Sequence, residues 1–145
     1  MREPPGVGLA VEVIGIDAAG RDGPTAAEVE QLCVLALSSA GIGDGHVAVE
    51  LIGEDRIRRL NRDHRGIDSP TDVLSFGIDE DGACAGPREL GDIVICPAHT
   101  SDLREAVVHG ALHLSGLDHE TDGGEMLALQ DELMRRVRAQ VGPMR

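Results

Sequence analysis

The chain has 145 residues, enough for one domain with a sizeable core. Its formal net charge is −13, from 26 acidic and 13 basic residues, which excludes non-specific nucleic-acid binding through a broadly basic surface. No apolar run approaches the roughly 20 residues of a membrane span, and with one Phe and neither Trp nor Tyr a base-stacking platform of the usual kind cannot be built.

The N-terminal MREPPGVGLAVEVIG lacks a charged stretch followed by an apolar one. It is a poor secretory signal, and a cytoplasmic location is expected. Residues 9–17, LAVEVIGID, predict a first strand. GRDGPT is a turn, and Thr25 followed by Glu28 reads as a capping box opening a helix through EVEQLCVLALSS that Gly41 stops. HVAVELIG, 46–53, alternates apolar and polar residues and predicts strand two. EDRIRRLNRDH, 54–64, with Ile57 and Leu60 three apart, predicts a short helix. After the loop RGIDSPTD, VLSFGI (73–78) is strand three, and the acidic, glycine-containing 79–90 is the segment expected to be most mobile. GDIVIC, 91–96, is strand four, and its unbroken apolar run predicts a central position with both faces buried. Ser101 is placed to cap a helix through DLREAVVHGALHLS to Gly116. A last helix covers about 125–138, with Met126, Leu129, Leu133 and Val137 on one face. There is no repeat and no linker. The order β-α-β-α-β-β-α-α predicts an α+β domain over 1–145, with a single mixed sheet of about four strands and helices packed on it. Cys33, Cys84 and Cys96 are odd in number and lack CxxC spacing, so reduced thiols are expected.

HGALHLSGLDH, 109–119, holds three of the six histidines. His109 and His113 are four apart, about 40° around a helix, so both rings leave one face, as two imidazole ligands of one ion would. Gly116 can take a left-handed conformation and reverse the chain, and His119 can then return to the same ion. Three neutral imidazoles leave a coordination position open, the pattern of a catalytic rather than a structural zinc. A structural site would need a fourth ligand, from Asp118 or Glu120. The spacing is similar to that of the metzincin peptidases, HExxHxxGxxH, except that Gly110 stands where they carry the glutamate base. Losing a positioned base costs about 10²–10⁴-fold, so peptidase activity is not expected. Asp118 could fix the tautomer of a ligand imidazole or simply cap the turn. His46 and His99 have no evident partner.

Arg56, Arg58, Arg59, Arg62 and Arg65 fall within ten residues of an otherwise acidic chain. The planar guanidinium suits phosphate oxygens. For Arg56, Arg58 and Arg59 the simpler reading is a solvated helix face balancing Glu54 and Asp55.

LNRDHRGIDSPTDVLSF (60–76), then LGDIVIC, then HGALHLSGLDHE give the chain its resemblance, over about residues 46–135, to the YbeY family of bacterial zinc-dependent endoribonucleases and rRNA maturation factors. The resemblance implies a zincin-like α+β fold, one zinc ion held by His109, His113 and His119, and Arg65 as the catalytic arginine near the metal. It implies single-strand-specific cleavage in maturation of the 16S rRNA 3′ end and in ribosome quality control. The implied partners are ribosomal RNA, the small ribosomal subunit and ribosomal proteins, with neither membrane nor DNA. The chain departs from the family pattern at His64, where an aromatic is usual, and at Leu117, where tyrosine is usual. It also carries about one helix less between GDIVIC and the histidine helix. Two rival readings are a metal-dependent hydrolase of another class, with Asp118 or Glu120 as base, and a non-enzymatic zinc-containing assembly factor. The acidic balance predicts weak binding to naked RNA and docking on a ribosomal particle through protein contacts.

Overall fold

The apolar run ending strand four organises the molecule. In the computed structural model, which describes residues 8–77 and 89–141, strands β1 (Leu9–Ile14), β2 (Gly45–Leu51), β3 (Val73–Gly77) and β4 (Glu89–Ile95) form one sheet in the order β1-β2-β4-β3. β1, β2 and β4 run parallel and β3 is antiparallel to β4, so the sheet is mixed. β4 is interior, and Ile93, Val94, Ile95 and Cys96 are all buried, as an apolar run without alternation requires.

The two faces of β4 feed two cores. Ile93 and Ile95 join Val47, Val49 and Leu51 of β2 under three helices, α1 (Ala26–Ser39), α3 (Leu103–Leu114) and α4 (Glu125–Val141). Val94 and Cys96 pack with Ile52, Leu74 and Ile57 under α2 (Glu54–Arg65). Among the described residues no helix is long and apolar enough to cross a membrane. Cys33 and Cys96 are free and buried, and desolvation pushes the Cys33 thiol up to about 12, so it packs as a small apolar group.

Several boundaries move for local reasons. β1 ends at Ile14 rather than residue 17, because Gly15 turns left-handed (φ 78°) into a 3-10 turn, Ile16–Ala19. A Cβ at Gly15 would sit 2.6 Å from the Leu51 carbonyl oxygen, which holds that position to glycine. Thr25 caps α1 by accepting from the Glu28 amide at 3.1 Å, but the reciprocal half of a capping box is not made. The Glu28 carboxylate instead takes the Arg104 guanidinium fork at 2.6 and 3.1 Å, tying α1 to α3. The cap of α3 is Asp102, whose Oδ1 accepts from the Glu105 amide at 3.1 Å, and not Ser101. α4 continues to Val141, beyond the expected 138. Of the expected mobile segment 79–90, residues 89 and 90 instead open β4, because Glu89 extends its pairing with β2; residues 79–88, with Cys84 and residue 78 of strand three, lie outside the described residues.

Candidate metal centre and its cleft

α3 carries His109 and His113 on one half-buried stripe, one turn apart. It ends in a paired C-terminal cap: the Leu117 amide donates to the Leu112 carbonyl (3.3 Å) and the Gly116 amide to the His113 carbonyl (3.0 Å). Gly116 lies at φ 103°, the left-handed position that closes such an end. The chain reverses, and His119 comes back beside the other two rings. Ring centroids lie 4.8 Å (His109–His113), 5.2 Å (His109–His119) and 5.3 Å (His113–His119) apart. One ligand atom from each falls within 4.8 Å of the others, a group that could hold a metal ion.

The outer nitrogens of two rings are already engaged. His109 Nδ1 lies 2.7 Å from Oε1 of Gln130, a residue of α4 only 8% exposed. The Gln130 Nε2 donates to Glu105 Oε2 at 3.2 Å, which fixes the amide's orientation and leaves its oxygen to accept from His109 Nδ1–H. His113 Nδ1–H donates to the Leu117 carbonyl at 3.1 Å. Both rings therefore keep Nε2 as the free lone pair, the tautomer a ligand needs. Burial first, and then the neighbouring His109 and His119, push the His113 pKa below its ordinary 6.5, favouring the neutral form that binds metal. Asp118 does not orient an imidazole: its Oδ1 accepts from the Glu120 amide (3.0 Å) and its carbonyl from the Thr121 and Asp122 amides (3.1 Å each), so it closes the turn.

Gln130 has a sequence signal. It falls in the buried stripe Met126, Gln130, Leu133, Val137 of α4, and a polar residue in an apolar stripe calls for a partner. Leu129, expected on that face, is only partly buried. Gln130→Leu keeps the bulk and removes the acceptor. It is expected to weaken metal binding about 10–100-fold by chelator competition; unchanged affinity would mean that the helix alone sets the His109 ring.

Gly110 has a structural reason as well as a chemical consequence. A Cβ there would lie 2.5 Å from Ile93 Cγ2 and 3.2 Å from Ser75 Oγ, and Ser75 Oγ donates to the Gly110 carbonyl at 3.0 Å. α3 thus lies directly on β3 and β4, with no room for a glutamate. Gly110→Glu is expected to destabilise the fold by about 1–3 kcal/mol or more through overpacking, seen as a lower Tm. It should bring no casein hydrolysis.

The three histidines open on a cleft of about 810 Å³ that runs along the edge strand β3, with Arg65 and His64 also lining it. Both sit in the last turn of α2, where Gly66 reverses the backbone at φ 74°. The buried Asn61 side chain donates to the Ser69 carbonyl at 2.9 Å and ties the following loop to the helix. The arginine-rich helix divides by partner. Arg56 pairs with Glu50 (2.8 Å) and Arg58 with Asp68 (2.8 Å), so two of the three charges expected to balance Glu54 and Asp55 find other carboxylates; Arg59 makes no ion pair among the described residues, and Arg62 pairs with Asp63 (3.4 Å). Glu54 pairs with His99 (3.0 Å), and His46 lies between Glu12 (3.5 Å) and Glu89 (3.1 Å), partners the sequence did not reveal. Among the described residues Arg65 makes no ion pair, and it lines the cleft.

Comparison with known proteins follows the same lines. A family model described as Endoribonuclease YbeY matches residues 24–138. The chain is 35% identical over 132 residues to Endoribonuclease YbeY of Bacillus licheniformis, covering 76% of this chain and 84% of that protein. It is 42% identical over 116 residues to Endoribonuclease YbeY of Rubrobacter xylanophilus, covering 74% and 82%. Among solved structures, the solution structure of TM1509 from Thermotoga maritima superposes with a TM-score of 0.52 at 29% identity, over 90% of each chain.

Proposed function

The chain belongs to the Endoribonuclease YbeY family, and on that premise we propose that it is a zinc-dependent, single-strand-specific endoribonuclease of the cytoplasm. Its role is maturation of the 16S rRNA 3′ end and ribosome quality control. One observation carries the reading: three imidazole donors within 4.8 Å of one another open on the same cleft as an arginine without an ion pair among the described residues. A histidine-only donor set fits zinc and leaves it an open position.

His109, His113 and His119 would hold the ion. When bound, zinc supplies Lewis acidity, and with it the activation that the glutamate missing at Gly110 gives a peptidase. The protein's own residues do the rest. Gln130 and the Leu117 carbonyl hold the His109 and His113 rings in the ligating tautomer. Arg65 binds a phosphate oxygen and neutralises charge that grows there during cleavage. This equipment suits a phosphodiester better than an amide, because electrostatic stabilisation carries most of the catalysis.

The net charge of −13 limits affinity for free RNA. Carboxylates beyond about 8 Å are screened at physiological salt, and against Asp72, Asp118 and Glu120 of the cleft lining the attraction falls to Arg65 and the bound ion. Protein contacts on the small ribosomal subunit supply the remaining affinity in this reading.

The test offers zinc-loaded protein a 16S rRNA precursor, a fully duplex RNA and casein side by side. Cleavage of the single-stranded precursor alone supports the proposal. Casein hydrolysis would replace it with a peptidase-like hydrolase, and retained zinc with no cleavage of any substrate would replace it with an assembly factor.

A further inference from the structure

The composition allows no array of aromatic rings, yet the chain's single phenylalanine lies in this cleft. Phe76 of β3 and His64 of α2 both line it, with ring centroids 4.8 Å apart and planes tilted by 54°. The two rings touch, and the loop joining their elements is tied to α2 by the bond from Asn61 to the Ser69 carbonyl. Phe76 is half-buried against the α2 core and fixes one side of the His64 ring, while His64 itself is exposed. A ring backed by another ring and open on its free side is a shelf for one planar aromatic ligand. The next residue, Arg65, supplies a cation on the same cleft, and the cleft volume of about 810 Å³ accommodates a nucleotide-sized ligand.

We infer that His64, backed by Phe76, stacks one unpaired nucleobase of the RNA strand whose phosphate Arg65 engages. The inference rests on the nuclease reading and deepens it: the shelf selects single-stranded substrate, since a base held in a duplex cannot lie flat on the ring. Unpaired bases are commonly recognised by stacking on aromatic side chains, histidine included, with little preference among the four bases. One shelf recognises one base, and outside the three clustered histidines Phe76 and His64 are the one ring pair lining the cleft among the described residues.

The experiment measures kcat and KM of the zinc-loaded protein on a short single-stranded RNA, and on the same RNA carrying one abasic residue at successive positions. His64→Ala is expected to raise KM about 5–100-fold, with a much smaller change in kcat. His64→Phe should restore KM, because the ring and not the imidazole charge does the stacking. For the wild type, one abasic position should raise KM by a similar factor, and that position should cost His64→Ala nothing further. Equal sensitivity of wild type and His64→Ala to every abasic position, or an unchanged KM in His64→Ala, overturns the shelf while leaving the nuclease intact. If the wild type cuts no RNA at all, the functional reading falls, and the shelf with it.

Discussion

His113→Ala is expected to lose bound zinc and to cut RNA no faster than the metal-stripped wild type, a fall of about 10³-fold or more. The magnitude follows from removing a Lewis acid worth several kcal/mol, with each 1.36 kcal/mol a factor of ten in rate. Metal analysis of the wild type and the variant, purified side by side, reads the first half; RNA cleavage reads the second. A variant that kept stoichiometric zinc would show that the three rings are not the ligand set. Acid should act in the same direction. The folded-state pKa of His113 lies below 6.5, because of burial and then the facing His109 and His119, with the Leu117 carbonyl and Asp118 opposing. Below 6.5 the unfolded chain therefore takes up this proton before the folded chain does, and stability falls wherever the unfolded state binds more protons. The metal-free protein should lose stability as pH drops from 6.5 through the lowered folded value, and this contribution should level off below it. Zinc holds the ring neutral, so the loaded protein should resist the same acidification until the metal leaves. The check is Tm against pH for the apo wild type and apo His113→Ala: the wild type should show the steeper decline below 6.5, and parallel curves would refute the assignment.

The elements were legible where periodicity and caps are local. α1 follows from Thr25 and Gly41, and β4 from a run too apolar for an edge strand. The histidine triad was legible because its three donors come from one helix end, and every step of H-x3-H-x2-G-x2-H has a reason within eleven residues. What the sequence concealed depends on contacts between distant segments. Gly110 reads in one dimension as a missing base, but its contact with Ile93 and Ser75, 17 and 35 positions away, makes glycine a packing requirement. Ser101 and Asp102 are equally good caps by residue type, and only the backbone path decides for Asp102. The carboxylates that take Arg56 and Arg58 come from β2 and the loop after α2, so charge balance was foreseeable and the pairing was not. Asp118 looked able to orient a ring; the turn it closes uses its oxygens, and Gln130 from another helix does the orienting.

Arg65→Ala separates the arginine from the metal. Arg65 gives the ion no donor, so the variant is expected to keep its zinc and its Tm, while kcat/KM on RNA falls about 10²–10³-fold, as when a positioned charge-stabilising donor is removed. The loss should fall mainly on kcat, because charge on the phosphate is greatest in the transition state. This is the opposite of the KM-dominated effect expected of His64→Ala, although the two residues are adjacent. Arg65→Lys keeps the charge but loses the planar fork, and should recover only part of the rate. Local geometry supports a dedicated role. Arg56, Arg58 and Arg62 are each held by a carboxylate within 3.4 Å, whereas Arg65, at the end of the same helix, lines the cleft and pairs with no described carboxylate. In a chain with 26 acidic residues, a cleft guanidinium that pairs with no described carboxylate is the group the proposal assigns to an incoming phosphate. If zinc-loaded wild type and Arg65→Ala cut RNA at equal rates, that account fails, and the cleft must neutralise the phosphate by the metal alone.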